Sequence, residues 1–501
     1  MQASLSLDPS ARVGVIDRRL FGSFVEHMGR CVYTGIFEPG HPAADDLGLR
    51  KDVLELTREL GVTLVRYPGG NFVSGSRWED SVGPVSDRPT RLDLAWRSIE
   101  PNTFGLHEFM TWTARAGTEA MLAVNLGTRG IEAAAALVEY ANHPGGSALS
   151  DLRRSHGAMD PYHIKLWCLG NEMDGPWQIG HKTADEYGRL AAESARAMRR
   201  VDPSIELVAC GSSHRAMPTF GSWEATVLDH TYDDIDYLSL HSYYEELAGD
   251  RASFLGSAVG MGAFIDEVVA TADHVKARKR SAKTIRLSFD EWNVWYQARF
   301  PGEAALDWEH APRLIEDEYS VVDAVVVGSL LMTLIDHADR VAIACQAQLA
   351  NVIAPIRSEP GGPSWRQTTF HPFAHTARLA AGHALVADPV SPTLPTEAHG
   401  DVPCVAAAAT YDDDTGALAL FLVNRSLDSS VTLDVDLRSM PGLQVGEHLL
   451  LCDDDPEATN TAARPDRVIP GAGGGRVIDG RLTLLLPAVS WSALRLCAAQ
   501  P

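Results

Sequence analysis

The sequence lacks several features that would place it in other classes of protein. Its seven cysteines are scattered and contain no CxxC pair, so neither a disulfide framework nor a zinc site is expected. No uncharged apolar run reaches the roughly 18 residues that a transmembrane helix requires. The N-terminus has no basic segment followed by an apolar one, as a secretory signal would have. We therefore expect a cytoplasmic protein.

Positive charge is also scarce. The chain has 43 Lys and Arg residues against 66 Asp and Glu residues, which gives a formal net charge of -23. Nucleic acids and anionic membranes would be repelled by such a surface. The charge balance therefore predicts neither of these partners and is compatible with a neutral substrate.

Eight short apolar runs alternate with helix-like segments between about residues 19 and 381. The runs lie at 20–26, 62–70, 119–127, 164–172, 205–213, 236–244, 284–292 and 340–348. Strands that alternate with helices predict a parallel sheet, and eight such units predict a closed (β/α)8 TIM barrel. The alternative is an open doubly wound sheet. It is disfavoured because no glycine-rich dinucleotide-binding turn follows the first run.

A different pattern begins at about residue 382. Short alternating runs separated by Asp, Gly and Pro clusters lie at 417–426, 431–437, 447–452 and 481–487. This pattern is typical of an antiparallel β-sandwich, here expected to be jelly-roll-like. The first residues alternate in the same way. We therefore predict a catalytic barrel at 19–381 and a sandwich domain made of 1–18 plus 382–501.

Two of the barrel runs end in a glutamate. Glu172 follows the fourth run and Glu291 ends the seventh, with Trp177 and Trp295 close behind them. Active sites of such barrels are built at these strand ends, and glycoside hydrolysis needs two carboxylic acids on either side of one bond. A single acid here would be explained by the helix that follows it, since carboxylates favour helix N-termini. Two acids with adjacent tryptophans favour a sugar-binding catalytic site.

Six motifs make the pattern specific. They are FGSFVEHMGRCVYTGIFEPGHP (21–42), VRYPGGNFVSGSRWED (65–80), LWCLGNEMDGPWQIGHKTADEY (166–187), LSLHSYY (238–244), DEWNVWY (290–296) and QAQLANVIAPI (346–356). In sequence and in order they resemble those of glycoside hydrolase family 51, the intracellular α-L-arabinofuranosidases. The resemblance covers the barrel. The C-terminal region agrees with the family in its position and in its short alternating runs, but its sequence is less diagnostic.

The resemblance implies roles for particular side chains. Glu172 would be the general acid/base and Glu291 the nucleophile. The family often has Asn before the nucleophile where this chain has Asp290, and we expect little effect on the nucleophile beyond a perturbation of its ionisation. Asn171 would bond the 2-hydroxyl of the sugar. The furanose hydroxyls and the pocket wall would be contacted by Glu26, Asn71, Gln348 and Trp295.

Four further residues are expected to support these groups. Tyr243 would help to bind the substrate and, with His241, would orient the two carboxylates by hydrogen bonding. Arg66 would lie near Glu291 and lower its pKa through its positive charge. Trp177 would touch the leaving group.

The expected activity is that of a non-reducing end α-L-arabinofuranosidase. A retaining double displacement would release terminal α-L-arabinofuranosyl residues from arabinose-containing oligosaccharides, without a metal or an organic cofactor. Family resemblance also implies a homo-oligomer, commonly a hexamer. Two alternatives remain open: an endo-glucanase or β-xylosidase on the same barrel, and a carbohydrate-binding protein with an inactive site.

Overall fold

A closed parallel barrel lies at the centre of the computed structural model, which describes residues 1–247 and 249–498. We number its strands from first to eighth in chain order. They are Gly22–Phe24, Leu64–Tyr67, Glu119–Val124, Leu166–Leu169, Glu206–Ala209, Tyr237–Tyr244, Arg286–Val294 and Val341–Gln346. Every neighbouring pair is parallel, and the eighth strand pairs with the first. The prediction of a (β/α)8 barrel from eight apolar runs is confirmed.

A helix follows each barrel strand. These helices are Lys51–Leu60, Leu106–Ala116, Ile131–Asn142, Ala184–Val201, Ser222–Thr231, Ser257–Lys279, Val321–Asp336 and Phe370–Leu379, and two shorter ones are Ala148–Ser155 and Arg251–Leu255. Among the described residues, none of the helices combines the length and apolar character that crossing a bilayer would require.

The helix Ala184–Val201 shows how local sequence sets these elements. Thr183 caps its N-terminus, and the side chain of Glu186 accepts a hydrogen bond from the Thr183 backbone amide over 3.0 Å. This reciprocal capping satisfies donors that the first turn leaves free. Ala191 and Ala195 recur at helical spacing on the buried face. Their small side chains let the helix pack closely.

Two long loops leave the carboxyl ends of the second and seventh strands, at 68–105 and 295–320. The first contains a hairpin, and the backbone amide of Ile99 in that hairpin donates to the carbonyl of Glu309 over 2.8 Å. The two loops are therefore joined above the barrel. Elsewhere on the barrel, a hairpin pairs Ile356–Ser358 with Ser364–Arg366. Short 3-10 helices lie at Arg18–Phe21, Asn71–Ser74, Trp78–Ser81, Val85–Asp87, Gln297–Arg299 and Glu303–Ala305.

Two further sheets pack face to face into a sandwich. One has the order Arg12–Val15, His383–Leu385, Val405–Asp412, Ala417–Asn424, Ser490–Ala498, Leu443–Leu451 and Gly471–Ala472. The other has the order Gln2–Ser6, Val431–Asp436, Arg481–Leu486 and Arg476–Ile478. A hairpin of Thr393–Thr396 and Gly400–Pro403 lies beside them. Leucines and valines from both sheets form a core of their own, separate from that of the barrel.

The pairing in the sandwich is antiparallel with one exception. Gln2–Ser6 lies parallel to Val431–Asp436, with Gln2 opposite Thr432. Both N-terminal strands, Gln2–Ser6 and Arg12–Val15, thus lie at the edges of these sheets. The exact domain boundaries at residues 18/19 and 381/382 stay a prediction.

The sandwich packs on the barrel through the helix Val321–Asp336. Gly328, in the middle of that helix, faces the indole ring of Trp491, and a Cβ at this position would overlap the ring. Trp491 is fully buried. A glycine is therefore required here, because the sheet approaches the helix backbone too closely for any side chain.

Candidate active site

The two predicted glutamates meet at the carboxyl end of the barrel. Glu172 lies just beyond the fourth strand and Glu291 lies within the seventh. An oxygen of Glu172, an oxygen of Glu291 and a ring nitrogen of His241 all lie within 4.8 Å of one another. Inverting glycosidases hold their carboxyl groups about 6.5–9.5 Å apart to admit a water, whereas retaining ones hold them about 5–5.5 Å apart. The short separation favours direct attack by one carboxylate.

The backbone at Glu172 is held in an uncommon conformation. Its φ is +43°, and Gly170 two residues earlier has a φ of +90°. A left-handed φ costs a non-glycine residue on the order of 1–3 kcal/mol, and such residues cluster at functional sites. The turn after the fourth strand is therefore strained at the residue that would carry the proton.

Glu172 has one donor for each carboxylate oxygen. His241 Nδ1 lies 2.9 Å from Glu172 Oε1, and Trp177 Nε1 donates to Glu172 Oε2 over 2.7 Å. His241 is 3% exposed, while Trp177 is 42% exposed and stands at the rim. The carboxyl group is thus oriented from below by the imidazole and from the solvent side by the indole.

Glu291 also has a donor for each oxygen. Arg66 Nη1 donates to Glu291 Oε1 over 2.6 Å, and Tyr243 Oη donates to Glu291 Oε2 over 2.7 Å. Arg66 also donates through Nη2 to Asn171 Oδ1 over 2.7 Å. These contacts fix the carboxylate that would attack the sugar, and they tie it to the residue beside Glu172.

Burial and charge act in opposite directions on these groups. Burial raises the pKa of Glu291, and the charges of His241 and Arg66 lower it without reversing that direction. The charge of Arg66 thus acts on the pKa of Glu291 in the predicted direction, but burial outweighs it. Burial lowers the pKa of His241, but the carboxylates of Glu291, Asp290 and Glu172 outweigh it and raise that pKa to about 10.

Glu26 forms the opposite wall of the site. Its Oε1 accepts hydrogen bonds from the Phe72 backbone amide and from Trp96 Nε1, both over 2.9 Å. Its Oε2 accepts a hydrogen bond from Gln348 Nε2 over 2.9 Å. Burial raises the pKa of Glu26 to about 7, although these donors oppose the shift. The carboxylate can still accept a hydroxyl group, because a carboxylate offers about four acceptor positions.

Asn71 and Asn171 lie between the two walls. Asn171 Nδ2 is 3.5 Å from Asn71 Oδ1 and 3.4 Å from Gln178 Oε1, which are both long contacts. Asn171 is 1% exposed, and its Oδ1 is already occupied by Arg66. Its amide nitrogen is therefore the atom left to reach a substrate.

All these groups surround one pocket of about 590 Å³. Most of the predicted site residues line it: Glu26, Asn71, Glu172, Trp177, Tyr243, Glu291, Trp295 and Gln348. The remaining three predicted residues, Arg66, Asn171 and His241, contact the residues of its floor. The structure thus brings together every predicted site residue.

The aromatic wall is larger than the sequence predicted. Trp295 packs edge-on against Tyr243 with ring centroids 5.1 Å apart. The ring centroid of Phe300 lies 6.3 Å from those of both Trp295 and Trp96. The two long loops thus bring these three rings together in one wall. The sequence did not predict Trp96 and Phe300 as site residues. They lie inside the loops rather than at strand ends, and no local pattern in the sequence marks them.

The same site has the only set of side chains with metal-ligand spacing within residues 1–247 and 249–498: Glu172, His241 and Glu291. A metal ligand must be a deprotonated imidazole or carboxylate. His241, with a pKa of about 10, holds both ring protons near neutral pH, and Arg66 already neutralises Glu291. The set fits acid–base chemistry better than metal binding.

Two family models match the chain, over much of its length. The model described as "Alpha-L-arabinofuranosidase 1 domain" matches residues 56–249, and "Alpha-L-arabinofuranosidase C-terminal domain" matches residues 290–490. The two predicted catalytic glutamates, Glu172 and Glu291, each fall within one of these matches.

Full-length relatives and solved structures agree with the models. The chain is 60% identical to an intracellular exo-α-(1→5)-L-arabinofuranosidase of Streptomyces lividans, covering 99% of this chain and 75% of that protein. It is 54% identical to one of the same description from Halalkalibacterium halodurans, covering 99% of each. A solved family 51 α-L-arabinofuranosidase from Bifidobacterium longum superposes with a TM-score of 0.95 at 48% identity, over 98% of this chain and 99% of that one.

Proposed function

The chain belongs to glycoside hydrolase family 51, and on that premise we propose that Glu172 and Glu291 perform the two half-reactions of its hydrolysis. The enzyme is a retaining, exo-acting α-L-arabinofuranosidase that releases terminal non-reducing α-L-arabinofuranosyl residues. The observation that carries the assignment of roles is the approach of the two carboxylates to within 4.8 Å, each held by its own pair of donors.

In the first half-reaction Glu172 acts as an acid. It transfers its proton to the glycosidic oxygen while Glu291 attacks the anomeric carbon from the opposite face. The bond between that carbon and the leaving oxygen breaks, an alcohol departs, and an arabinosyl ester forms on Glu291. Tyr243 and Arg66 hold Glu291 so that one oxygen faces the sugar.

In the second half-reaction Glu172 acts as a base. It takes a proton from a water that attacks the same carbon, and the ester to Glu291 breaks. Two displacements restore the original α-configuration. Glu172 ends the cycle protonated, as it began.

The other predicted residues fit the binding of a small terminal sugar. We assign the furanose hydroxyls to Glu26, Asn71, Asn171 and Gln348, and the pocket wall to Trp295 and Tyr243. Trp96 is added to them because it holds Glu26. Trp177, at the rim and bonded to Glu172, is placed to touch the leaving group. A pocket of about 590 Å³ lined by these groups suits removal of one terminal residue at a time.

Arabinose-containing oligosaccharides are the substrate class. The comparisons give no support to the alternatives of an endo-glucanase or a β-xylosidase. We further propose a cytoplasmic location, since close relatives are described as intracellular, and a homo-oligomer, for which the support is family membership alone. We also retain the division into a barrel at 19–381 and a sandwich at 1–18 plus 382–501.

The proposal is tested with 4-nitrophenyl α-L-arabinofuranoside and the variants Glu172→Ala and Glu291→Ala. Both variants should lose most activity, whereas Glu55→Ala, on the exposed face of the first barrel helix, should not. Added azide should give α-arabinosyl azide with Glu172→Ala and the β-anomer with Glu291→Ala. The same anomer from both variants would contradict the assignment. A folded parent without activity would favour the inactive binding protein.

A further inference from the structure

Asp290 is a completely buried acid that neither half-reaction uses. It directly precedes Glu291 on the seventh strand and is 0% exposed. Its Oδ2 lies 3.4 Å from Arg66 Nε, and its Oδ1 lies 3.3 Å from His241 Nε2. Asp290 thus touches both cations that hold the catalytic pair, because Arg66 bonds Glu291 and His241 bonds Glu172.

Consecutive strand residues normally point to opposite faces, but Asp290 and Glu291 both contact Arg66. The seventh strand shows register shifts against both of its neighbours in this region, between Phe289 and Trp292 on one side and opposite Ser239–His241 on the other. Irregularities of this kind redirect side chains next to active sites. They allow two adjacent acids to share one guanidinium.

The two nitrogens that face Asp290 have no other partner. Arg66 Nε and His241 Nε2 are buried and form no hydrogen bond of good geometry with any described residue, and Asp290 is the carboxylate within 4.0 Å of each. A buried cationic N–H that lacks a nearby anion is costly. Asp290 therefore compensates the positive charges of Arg66 and His241 at the two nitrogens that Glu172 and Glu291 do not contact.

The other groups around Asp290 are uncharged. Ser239 Oγ donates to its Oδ1, and Cys168 Sγ lies 3.6 Å from its Oδ2. Burial raises the pKa values of Cys168, on the fourth strand, and Cys210, just beyond the fifth, so both remain thiols. Cys345 on the eighth strand is shifted in the same direction.

Asp290 supplies the second negative charge that balances the two buried cations. Before reaction the site holds two cations, Arg66 and His241, and two anions, Asp290 and Glu291, while Glu172 is protonated. In the arabinosyl-enzyme Glu291 is esterified and Glu172 is an anion, so the two cations again face two anions. Without Asp290, both stages would have one more positive than negative charge among these five groups, while Glu26, whose pKa is about 7, adds the same negative charge to each stage.

We propose that Asp290 is a positioning residue whose negative charge keeps His241 protonated and at the same time offsets its positive charge, so that Glu172, 2.9 Å from that imidazole, retains its proton for the first half-reaction. This inference rests on the proposed roles of Glu172 and Glu291. Electrostatics agree with it. Burial raises the pKa of Asp290, but Arg66 and His241 outweigh burial and lower it, so Asp290 is an anion throughout the working range.

The first test is the protonation of His241, read directly by ¹⁵N NMR of histidine-labelled enzyme. The His241 signal is identified by its absence from His241→Asn. In Asp290→Asn it should lose its proton at a pH at least about 1 unit lower than in the parent, since an adjacent opposite charge typically shifts a buried group by 1–3 units. Ser239→Ala is the matched control, because it removes a hydrogen bond to Asp290 and leaves the charge. An unchanged titration in Asp290→Asn would overturn the proposal.

The second test is the pH profile of kcat/KM on an alkyl arabinofuranoside, whose leaving group needs a proton. In Asp290→Asn the alkaline limb should move to lower pH by about 1 unit, because the loss of the carboxylate leaves one more positive charge beside the proton donor. On 4-nitrophenyl arabinofuranoside, whose leaving group needs little protonation, the shift should be smaller. Equal shifts on both substrates, or none, would overturn the proposal. Glu26, which faces Glu291 and has a pKa of about 7, would affect both substrates alike.

A double variant distinguishes an effect of the Asp290 charge from a structural effect of the Asp290 side chain. His241→Asn removes one positive charge and should move the alkaline limb to higher pH, and Asp290→Asn/His241→Asn should return it toward the parent position. A structural role for Asp290 predicts no such compensation. If Asp290→Asn does not fold, as judged by circular dichroism, the upward shift in His241→Asn alone decides, and its absence overturns the proposal. Azide rescue that fails in Glu172→Ala and Glu291→Ala would instead refute the proposed function.

Discussion

Tyr243 Oη donates a hydrogen bond to Glu291 Oε2 over 2.7 Å, while Tyr244, the next residue along the strand, has a buried hydroxyl without a partner among the described residues. Two neighbouring tyrosines on one strand therefore differ in a single respect that matters for catalysis. Of these two tyrosines, only Tyr243 donates to Glu291, the carboxylate that we propose attacks the sugar.

This difference gives a matched pair of variants. Tyr243→Phe should lower kcat by about 10²-fold, because removing one fixed donor from a catalytic oxygen typically costs 10²–10³-fold. Tyr244→Phe should retain parent activity, since its hydroxyl makes no hydrogen bond. Steady-state kinetics on 4-nitrophenyl α-L-arabinofuranoside measures both. Equal losses in the two variants would show that the contact with Glu291 is not what matters.

Trp96 should affect substrate binding more than chemistry. Its indole N–H holds Glu26, which we assign to the sugar hydroxyls, so Trp96→Phe should raise KM by about 10-fold with a smaller change in kcat. Trp365→Phe is the control, because its buried indole nitrogen has no partner among the residues described. A fall in kcat at constant KM would contradict the assignment.

Glu26 should make stability depend on pH. Its pKa is about 7 in the folded protein against an ordinary value of 4.5, so the folded state holds a proton that the unfolded chain has lost between these values. Its contribution to the free energy of unfolding is complete below about pH 4.5 and is lost as pH rises through about 7. The loss is on the order of 3 kcal/mol.

Urea unfolding of the parent and Glu26→Gln across this range measures the effect. The variant should lose less stability between pH 4.5 and pH 7, although Asp93, Asp174 and Asp323, with pKa values of about 6, leave a residual slope. Glu55→Gln, at an exposed position, should behave as the parent does. An unaltered slope in Glu26→Gln would contradict the prediction.

The contact between barrel and sandwich depends on one glycine. Gly328→Ala should destabilise the enzyme by about 1–3 kcal/mol, because the new methyl group would overlap Trp491. Gly262→Ala is the control in another helix, where the nearest atom to a Cβ is His337 Cε1 at 3.5 Å. That variant should be neutral or slightly stabilising, since alanine favours helices. Thermal unfolding that ranks the two variants equally would refute the packing argument.

The barrel could be predicted from the sequence because its strands are buried on both faces. Such strands form continuous apolar runs, and the runs at 164–172 and 284–292 each contain the whole of a catalytic strand end. Glu172 and Glu291 stand out because an acid interrupts or ends an apolar run. These signals depend only on neighbouring residues in the sequence, and both glutamates lie at the carboxyl end of the barrel in the structure.

What the sequence could not supply depends on contacts between distant segments. Trp96 and Phe300 meet because Ile99 and Glu309 join two loops that are separated by some two hundred residues. The parallel pairing of Gln2–Ser6 also has no local signal, since alternation predicts a strand but not its partner. The upward shift in the pKa of Glu291 follows from burial, which is a property of the folded chain.

The most direct test of the account is to trap the covalent intermediate. Glu172→Ala should form the arabinosyl-enzyme rapidly from 2,4-dinitrophenyl α-L-arabinofuranoside, whose leaving group needs no acid, and should hydrolyse it slowly without a base. Intact-protein mass spectrometry should then show one added anhydro-arabinose unit, and peptide mapping should place it on Glu291. An adduct on another residue, or steady turnover of this substrate without any adduct and with inversion at the anomeric carbon, would contradict the proposed double displacement.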